Sequence, residues 1–306
     1  QAMGSSRSAL AASAGTLDVE ACPECAASSW GPASDGRWRW AVDADAWAPD
    51  GGPGGEFLLL LGLLPETERA EVLKLPNFRD RKRSLLGKLL VQRVCARALG
   101  AVDFAAFEVG RTRGRKPFLR RPLPPGLPNF NFNVSHDGSW VVLASDPLRL
   151  VGVDVAAPQR CRGDREDDSW LQDLEPLLYP SELDLIRGEP HARARYAVFQ
   201  RLWSAKEAVT KAVGQGLDFG MERIEVALDG EGGPWWRALG QGSRADTDAS
   251  PSGQGRVACV TVDHWPRPEW RLAQHCLPEE HWATVALLPV EEVVDADGEF
   301  AATLRL

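Results

Sequence analysis

The sequence has no long apolar run. The longest candidate, Phe57 to Leu64, is far shorter than the roughly 20 apolar residues that a membrane-spanning helix needs. The opening residues also lack the basic-then-apolar order of a secretory signal. We therefore expect a cytoplasmic protein that has no membrane partner.

Cysteine is sparse, with six residues scattered along 306 positions. Such usage excludes a disulfide framework and favours a reducing compartment. Cys22 and Cys25 have the spacing of half a zinc site, but no second Cys or His pair follows at a suitable distance. The favoured interpretation is a pair of free thiols.

Basic charge is not in excess, because 35 Lys and Arg oppose 43 Asp and Glu to give a net charge of -8. This balance argues against general nucleic-acid binding, so no nucleic-acid partner is expected. A single-strand binder is a weaker alternative, suggested by the run Arg79 to Arg83 and by twelve tryptophans that could stack on bases. Any anion site must be built from local clusters.

The length suits two domains of ordinary size rather than one small core. We predict an α+β fold of two similar subdomains with pseudo-twofold symmetry, because each half contains strands and one long helix. The predicted boundaries are a disordered leader with a cloning remnant over 1–36, an N-terminal subdomain over 37–146, a C-terminal subdomain over 147–290 with a mobile loop at 240–255, and a tail over 291–306.

Periodicity places the main elements of both halves. Apolar spacing predicts helices over Arg83 to Leu99, Trp170 to Ile186 and His191 to Val213. Alternation predicts strands over Phe130 to Val134 and Leu150 to Val155. On the second of these strands the valines share one face, so Asp154 is expected to point to the other.

The segment WSAKEAVTK places Trp203, Glu207 and Lys211 along one face of the last helix, with Lys206 about 100 degrees around. Taken alone, Glu207 and Lys211 make an ordinary ion pair on a solvated helix face. The run Ser135 to Gly138 ends a strand, where polar groups either face a ligand or form a simple turn. Each motif is weak when taken alone.

Two basic clusters complete the set: Arg79 to Arg83 before a helix, and Arg111 to Lys116 in a loop. Clustered cations near a helix start suit phosphate, although a solvated basic patch explains them equally well.

In this order, the motifs RSLLGKLL, GRKP, FNVSH, GVDV and WSAKEAVTKAVGQGL resemble those of the 4'-phosphopantetheinyl transferases. The resemblance extends over Arg37 to Leu288 and is closest to the pseudo-dimeric, monomeric eukaryotic type acting on aminoadipate-semialdehyde dehydrogenase.

The resemblance implies a site for coenzyme A and Mg²⁺ between the two halves. Asp154 and Glu207 match metal ligands. Some members carry an acid two residues after the metal aspartate, where this chain has Ala156, so Asp137 is the candidate third ligand. The positions implied to bind coenzyme A are Arg79, Arg83 and Ser84 near the 3'-phosphate, Arg115, Lys116 and Pro117 at the adenine, and Ser135, His136, Lys206 and Lys211 near the phosphates.

The implied reaction transfers 4'-phosphopantetheine to a serine of an apo acyl, peptidyl or aryl carrier protein and releases 3',5'-ADP. Glu207, Asp137 or a metal-bound water is the candidate base, and Lys206 or Lys211 the candidate stabiliser of the leaving group. The alternative is a non-catalytic module that binds coenzyme A or a nucleotide and does not need the carboxylates.

Overall fold

The computed structural model describes residues 16–18, 36–49, 54–100, 107–120, 123–158, 169–228 and 257–305. The Cys22 and Cys25 pair and the predicted 240–255 loop lie outside these residues. Within the predicted leader, Thr16–Asp18 is described as a strand that pairs with the first strand of the N-terminal half.

The helices are α1 Gly55–Gly62, α2 Glu66–Leu73, α3 Phe78–Leu99, α4 Ser169–Gln172, α5 Pro180–Arg187 and α6 Ala192–Val213. The strands are β1 Thr16–Asp18, β2 Arg39–Asp43, β3 Val109–Arg111, β4 Pro117–Leu119, β5 Asn131–Asp137, β6 Trp140–Asp146, β7 Leu150–Ala156, β8 Ile224–Leu228, β9 Val257–Val262, β10 Trp265–Pro266, β11 Arg271–Leu277 and β12 His281–Leu288. Short 3-10 turns cover Glu175–Leu177, Gly216–Phe219, Met221–Arg223, Val290–Glu292 and Ala301–Thr303.

The N-terminal half packs α3 against an antiparallel sheet of order β1-β2-β6-β5. Leu85 and Val94 on α3, and Phe132 and Val141 on the sheet, are fully buried in one apolar cluster. Burial of such side chains contributes about 1.5–3 kcal/mol each. The half is therefore a helix-on-sheet layer of the kind the sequence predicts.

The C-terminal half packs α6 across the sheet β11-β12-β7, with a second small sheet β10-β9-β8 nearby. Gly152 allows this close packing, because a Cβ there would lie 1.9 Å from the carbonyl oxygen of Ala208. Only a glycine leaves room for the helix at that distance. The helix therefore lies directly on the strand that carries Asp154.

A ladder of side chains joins the two halves, running from β5 to the parallel strand β7. The Oδ1 atom of Asn131 accepts from the Val151 amide at 2.9 Å, and that of Asn133 accepts from the Val153 amide at 3.0 Å. Further along, Asp137 Oδ2 accepts from the Ala157 amide at 2.8 Å. Each rung joins residues twenty positions apart, so the side chains fix the register between the halves.

Most predicted elements are present, and the α+β class is confirmed. The helix ends at Val213 as predicted, and Asp154 points away from the face where Val153 and Val155 are buried. The continuous helix predicted over 170–186 is wrong, because the chain instead forms two short helices separated by a 3-10 turn. Pro176 and Pro180 fall inside the predicted span, where their missing amides and rings break the helix.

Candidate active site

Three elements bring four polar side chains together. The Lys211 ammonium on α6 lies 2.5 Å from Asp154 Oδ1 on β7 and 3.0 Å from Ser135 Oγ on β5. Ser135 donates to Asp154 Oδ1 at 2.8 Å. Glu207, one turn before Lys211, has its carboxylate 4.0 Å from the same ammonium. The cluster thus combines residues of two motifs on α6 and β7 with one from the N-terminal half.

Electrostatics in this cluster favour added positive charge. Burial raises the pKa of the Glu207 carboxyl, the neighbouring Asp154 carboxylate raises it further, and the Lys211 cation opposes both. Two carboxylates that share one ammonium and repel each other form an oxygen donor set for a hard divalent cation. Because Mg²⁺ commonly keeps several waters, two carboxylates fit its requirements.

Asp137 is not part of this cluster. Its Oδ1 accepts from the Gly138 amide at 2.8 Å, while its other oxygen forms the last rung of the side-chain ladder at Ala157. Within the described ranges, no group of three or more His, Cys, Asp or Glu is arranged to hold a metal ion. The third ligand predicted at Asp137 is therefore not brought to Asp154 and Glu207.

His136 points to the opposite side of β5 from Ser135, as alternate strand residues do. Desolvation lowers the pKa of its imidazole, and the cations of Arg83 and Lys211 lower it further, although the residue keeps an exposed surface. Arg83 donates to the Gly138 carbonyl at 2.9 Å and pairs with Asp80. His136 and Arg83 therefore form a second polar group at the same strand end.

The other two predicted contacts on α3 lie near its first turns. Arg79 forms a bidentate pair with Asp45, with its Nη2 atom 2.7 Å from the carboxylate. Ser84 is half-buried on the same helix. Neither residue lines the cleft described next. Because Arg79 is already paired with Asp45, an anion that binds there must compete with the Asp45 carboxylate.

A cleft of about 400 Å³ lies beside the carboxylate cluster, between the β3–β4 loop and α6. Its lining combines side chains from both halves: Arg111, Arg113, Gly114, Arg115, Lys116, Pro117, Asn133, Val134, Glu207, Thr210, Lys211, Gln215, Gly216 and Asp218. The three arginines are exposed, and cations outnumber the two acids. This locally positive cleft suits a polyanion despite the net charge of -8.

Two lysines that were predicted to contact coenzyme A have partners within the protein. Lys206 is fully buried 2.6 Å from Glu182 and donates to the Leu177 carbonyl, on the side of α6 away from the cleft. Lys116 is 3% exposed, and burial lowers the pKa of its ammonium to about 7. Its Nζ donates to backbone carbonyls of β7 and α6. Pairing in the core therefore explains Lys206 without a ligand.

Sequence reasoning missed Thr112 and Asn133. Thr112 donates to the Gly214 carbonyl at 3.1 Å, and Asn133 both holds β7 and lines the cleft. The signal for Asn133 was present, because asparagines at every second strand position point one polar face toward a neighbour. Thr112 carried no comparable signal, since its partner is distant in sequence.

Comparison with known proteins places this chain in a family. Residues 45–148 match the family model described as 4'-phosphopantetheinyl transferase, N-terminal, and residues 150–262 match that of the 4'-phosphopantetheinyl transferase superfamily. Together these matches cover more than half of the chain. The chain belongs to the 4'-phosphopantetheinyl transferase family. It is accordingly a member of a family of transferase enzymes.

Individual relatives agree with this assignment. A phosphopantetheinyl transferase of Thraustochytrium sp. is 38% identical over 63% of this chain and 66% of its own length, just under two thirds. The mouse L-aminoadipate-semialdehyde dehydrogenase-phosphopantetheinyl transferase is 27% identical over 81% of this chain and 74% of its own length. The Bacillus subtilis 4'-phosphopantetheinyl transferase is 27% identical over 58% of this chain and 72% of its own length.

Within this family fold, Asp137 permits a direct test of its ladder role. We expect Asp137→Ala to lower the free energy of unfolding by about 1 kcal/mol, because the Ala157 amide loses its acceptor. Urea denaturation checks the shift. The matched control is Asp184→Ala on the exposed surface of α5, which should change stability by less than about 0.5 kcal/mol. Equal stability of both variants would contradict the ladder role.

Proposed function

We propose that this protein transfers the 4'-phosphopantetheine arm of coenzyme A, with Mg²⁺, to a serine of an apo carrier protein and releases 3',5'-ADP. The observation that carries the proposal is the meeting of Asp154, Glu207 and Lys211 at the edge of a positive cleft. Membership of the transferase family supplies the reaction class. The carboxylates distinguish this reading from a module that only binds coenzyme A.

The residues divide the chemistry among them. Coenzyme A is a polyanion, and its pyrophosphate gains negative charge as the phosphorus is attacked, so Arg113, Arg115 and Lys211 are suited to bind and stabilise it. Asp154 and Glu207 would hold the metal ion, which when bound supplies further charge stabilisation at the phosphate oxygens. We assign the proton of the attacking serine to Glu207, the carboxylate that lines the cleft from α6.

The remaining assignments come from the family resemblance. Ser135 accepts a hydrogen bond from the Lys211 ammonium, and His136 and Arg83 form a second phosphate-binding group at the end of β5. Arg79 and Ser84 extend this group along α3. Asp137 does not join Asp154 and Glu207, so we propose that it holds the Gly138 and Ala157 amides rather than the metal ion.

The proposal extends to partners and architecture. A positive cleft suits the acidic carrier proteins that the family resemblance implies, with acyl, peptidyl and aryl carriers and aminoadipate reductases as the candidate classes.

Each half pairs one 22-residue helix with an antiparallel sheet, which supports an approximate twofold relation between them. A cytoplasmic monomer without a nucleic-acid partner stays a prediction, as do the subdomain boundaries. Of the described residues, no helix is both long and apolar enough to cross a bilayer.

The decisive experiment incubates the protein with coenzyme A, Mg²⁺ and a panel of apo carriers, and follows the carriers by intact mass spectrometry. We expect one carrier class to gain the mass of the arm, with 3',5'-ADP formed in equal amount. Chelation with EDTA should abolish the gain, and added Mg²⁺ should restore it. Binding of coenzyme A without transfer to any carrier would instead support the non-catalytic module.

A further inference from the structure

The segment from Arg111 to Lys116, which ends β3 and leads into β4, presents two different faces. Its odd-numbered residues are three exposed arginines that line the cleft. Among its even-numbered residues, Thr112 is 5% exposed and Lys116 is 3% exposed, and the Lys116 ammonium points to interior carbonyls although the residue also borders the cleft. One short segment therefore contacts both the cleft and the interior.

The inward face binds the two elements that carry the site. Lys116 Nζ donates to the Val151 carbonyl of β7 at 2.5 Å and to the Lys211 carbonyl of α6 at 3.2 Å. Thr112 Oγ1 donates to the Gly214 carbonyl at 3.1 Å and accepts from the Lys116 amide at 3.1 Å. A single lysine thus connects the strand of Asp154 to the helix of Lys211.

These contacts satisfy groups that a helix cannot satisfy by itself. The last four carbonyls of an α-helix lack partners within the helix, and a cation near that end is favoured by the helix dipole. At the end of α6, the Lys211 carbonyl is taken by Lys116, and the Val213 carbonyl by the Val294 amide at 3.0 Å. The segment from the N-terminal half therefore holds the end of a helix that belongs to the C-terminal half.

Gly114 adds a steric contact to those of Thr112 and Lys116. We call this set of contacts, between the segment and the end of α6, the clamp. A Cβ at this position would lie 2.1 Å from the Gly214 carbonyl oxygen and 2.4 Å from the Gln215 carbonyl carbon. The backbones of the segment and of the turn after α6 are thus in direct contact. Small displacements of the segment must move the end of the helix as well.

We propose that Thr112 and Lys116 are positioning residues, which set the place of Lys211 relative to Asp154, while the arginines of the same segment bind the anionic substrate. This inference rests on the proposed transfer reaction. It separates Lys116 from its expected role as a coenzyme A contact, because its ammonium faces two backbone carbonyls. Catalytic rate then depends on the inward face, and substrate affinity on the outward face.

The test compares variants of the two faces in the full chain. We expect Lys116→Met and Thr112→Val to lower kcat by about 10- to 100-fold, since displacement of reacting groups by about 1 Å costs up to a hundredfold. Their dissociation constants for coenzyme A, measured by titration calorimetry without carrier, should stay within about threefold of the original. Thr112→Ser, which restores the hydroxyl, should recover most of the kcat that Thr112→Val loses.

Arg113→Ala provides the opposite pattern and should raise KM for coenzyme A more than it lowers kcat. Lys74→Met, at an exposed position on the end of α2, is the matched control for the lysine change and should behave as the original protein. A Lys116→Met variant whose dissociation constant rises in step with its loss of kcat would overturn the positioning role. Equal kcat values for Thr112→Val and Thr112→Ser would overturn it as well.

Hydrogen exchange supplies a readout that does not depend on transfer. The Gly214 amide, bonded to the Thr210 carbonyl at 3.1 Å, should exchange about tenfold faster in Lys116→Met and Thr112→Val than in Arg113→Ala. Unchanged exchange at this amide would refute the clamp. If the original protein transfers no arm to any carrier, the proposed function fails, but this comparison still decides whether the segment holds the helix.

Discussion

Asp154→Asn is expected to slow transfer to the carrier by about a thousandfold, equivalent to about 4 kcal/mol of transition-state stabilisation. The substitution removes one of the two carboxylates proposed to hold the metal ion and replaces the anionic partner of Lys211 with a neutral amide. Asparagine still has a carbonyl oxygen for the Ser135 hydroxyl, so the local packing is retained. The loss should therefore fall on chemistry rather than on folding.

Two measurements separate these effects. Binding of Mn²⁺, a stand-in for Mg²⁺ that is visible by paramagnetic resonance, should weaken at least tenfold in Asp154→Asn. The midpoint of urea denaturation should move little. Asp184→Asn, on the exposed surface of α5, is the matched control and should keep full transfer. Transfer by Asp154→Asn at the original rate would rule out a catalytic role for this carboxylate.

Gly152→Ala is expected to lower the free energy of unfolding by about 3 kcal/mol. The new Cβ would lie 1.9 Å from the Ala208 carbonyl oxygen and 2.5 Å from the Ala212 amide nitrogen, so α6 must move away from β7. The same displacement separates Lys211 from Asp154, and transfer should fall about a hundredfold even in the folded fraction. Urea denaturation followed by tryptophan fluorescence measures the first effect.

The control for this change is Gly62→Ala at the exposed end of α1, where a Cβ meets nothing within 4 Å. That variant should be neutral or slightly stabilised, because alanine restricts the unfolded chain more than glycine does. If both variants unfold at the same urea concentration, the direct packing of α6 on β7 would be refuted.

Local patterns were enough to predict much of this fold. Gly214 after a helical apolar pattern gave the end of α6 at Val213, and valine alternation on β7 gave the direction of Asp154, away from the valine face. Helical spacing placed Glu207 and Lys211 on one face, where the structure has them 4.0 Å apart. These predictions succeeded because each depends on residues within a few positions of one another.

Long-range pairing was beyond such patterns. Lys206 and Lys116 were predicted as ligand contacts because they lie in motifs. The sequence around a lysine does not indicate which distant group it pairs with. Glu182 lies 24 positions before Lys206, and the carbonyls that hold Lys116 belong to β7 and α6. Burial of an ammonium depends on such distant partners, so only the assembled fold distinguishes a structural lysine from a binding one.

The side-chain ladder between β5 and β7 also bears on how this enzyme tolerates sequence change. A seam made of apolar surfaces can slide, whereas the rungs at Asn131, Asn133 and Asp137 match their partner amides in one register only. Insertion of a single residue into the β6 hairpin would turn the rungs to face the wrong amides and carry Ser135 away from Asp154. The connection between the halves should therefore resist length variation during evolution far more strongly than a seam of apolar surfaces would.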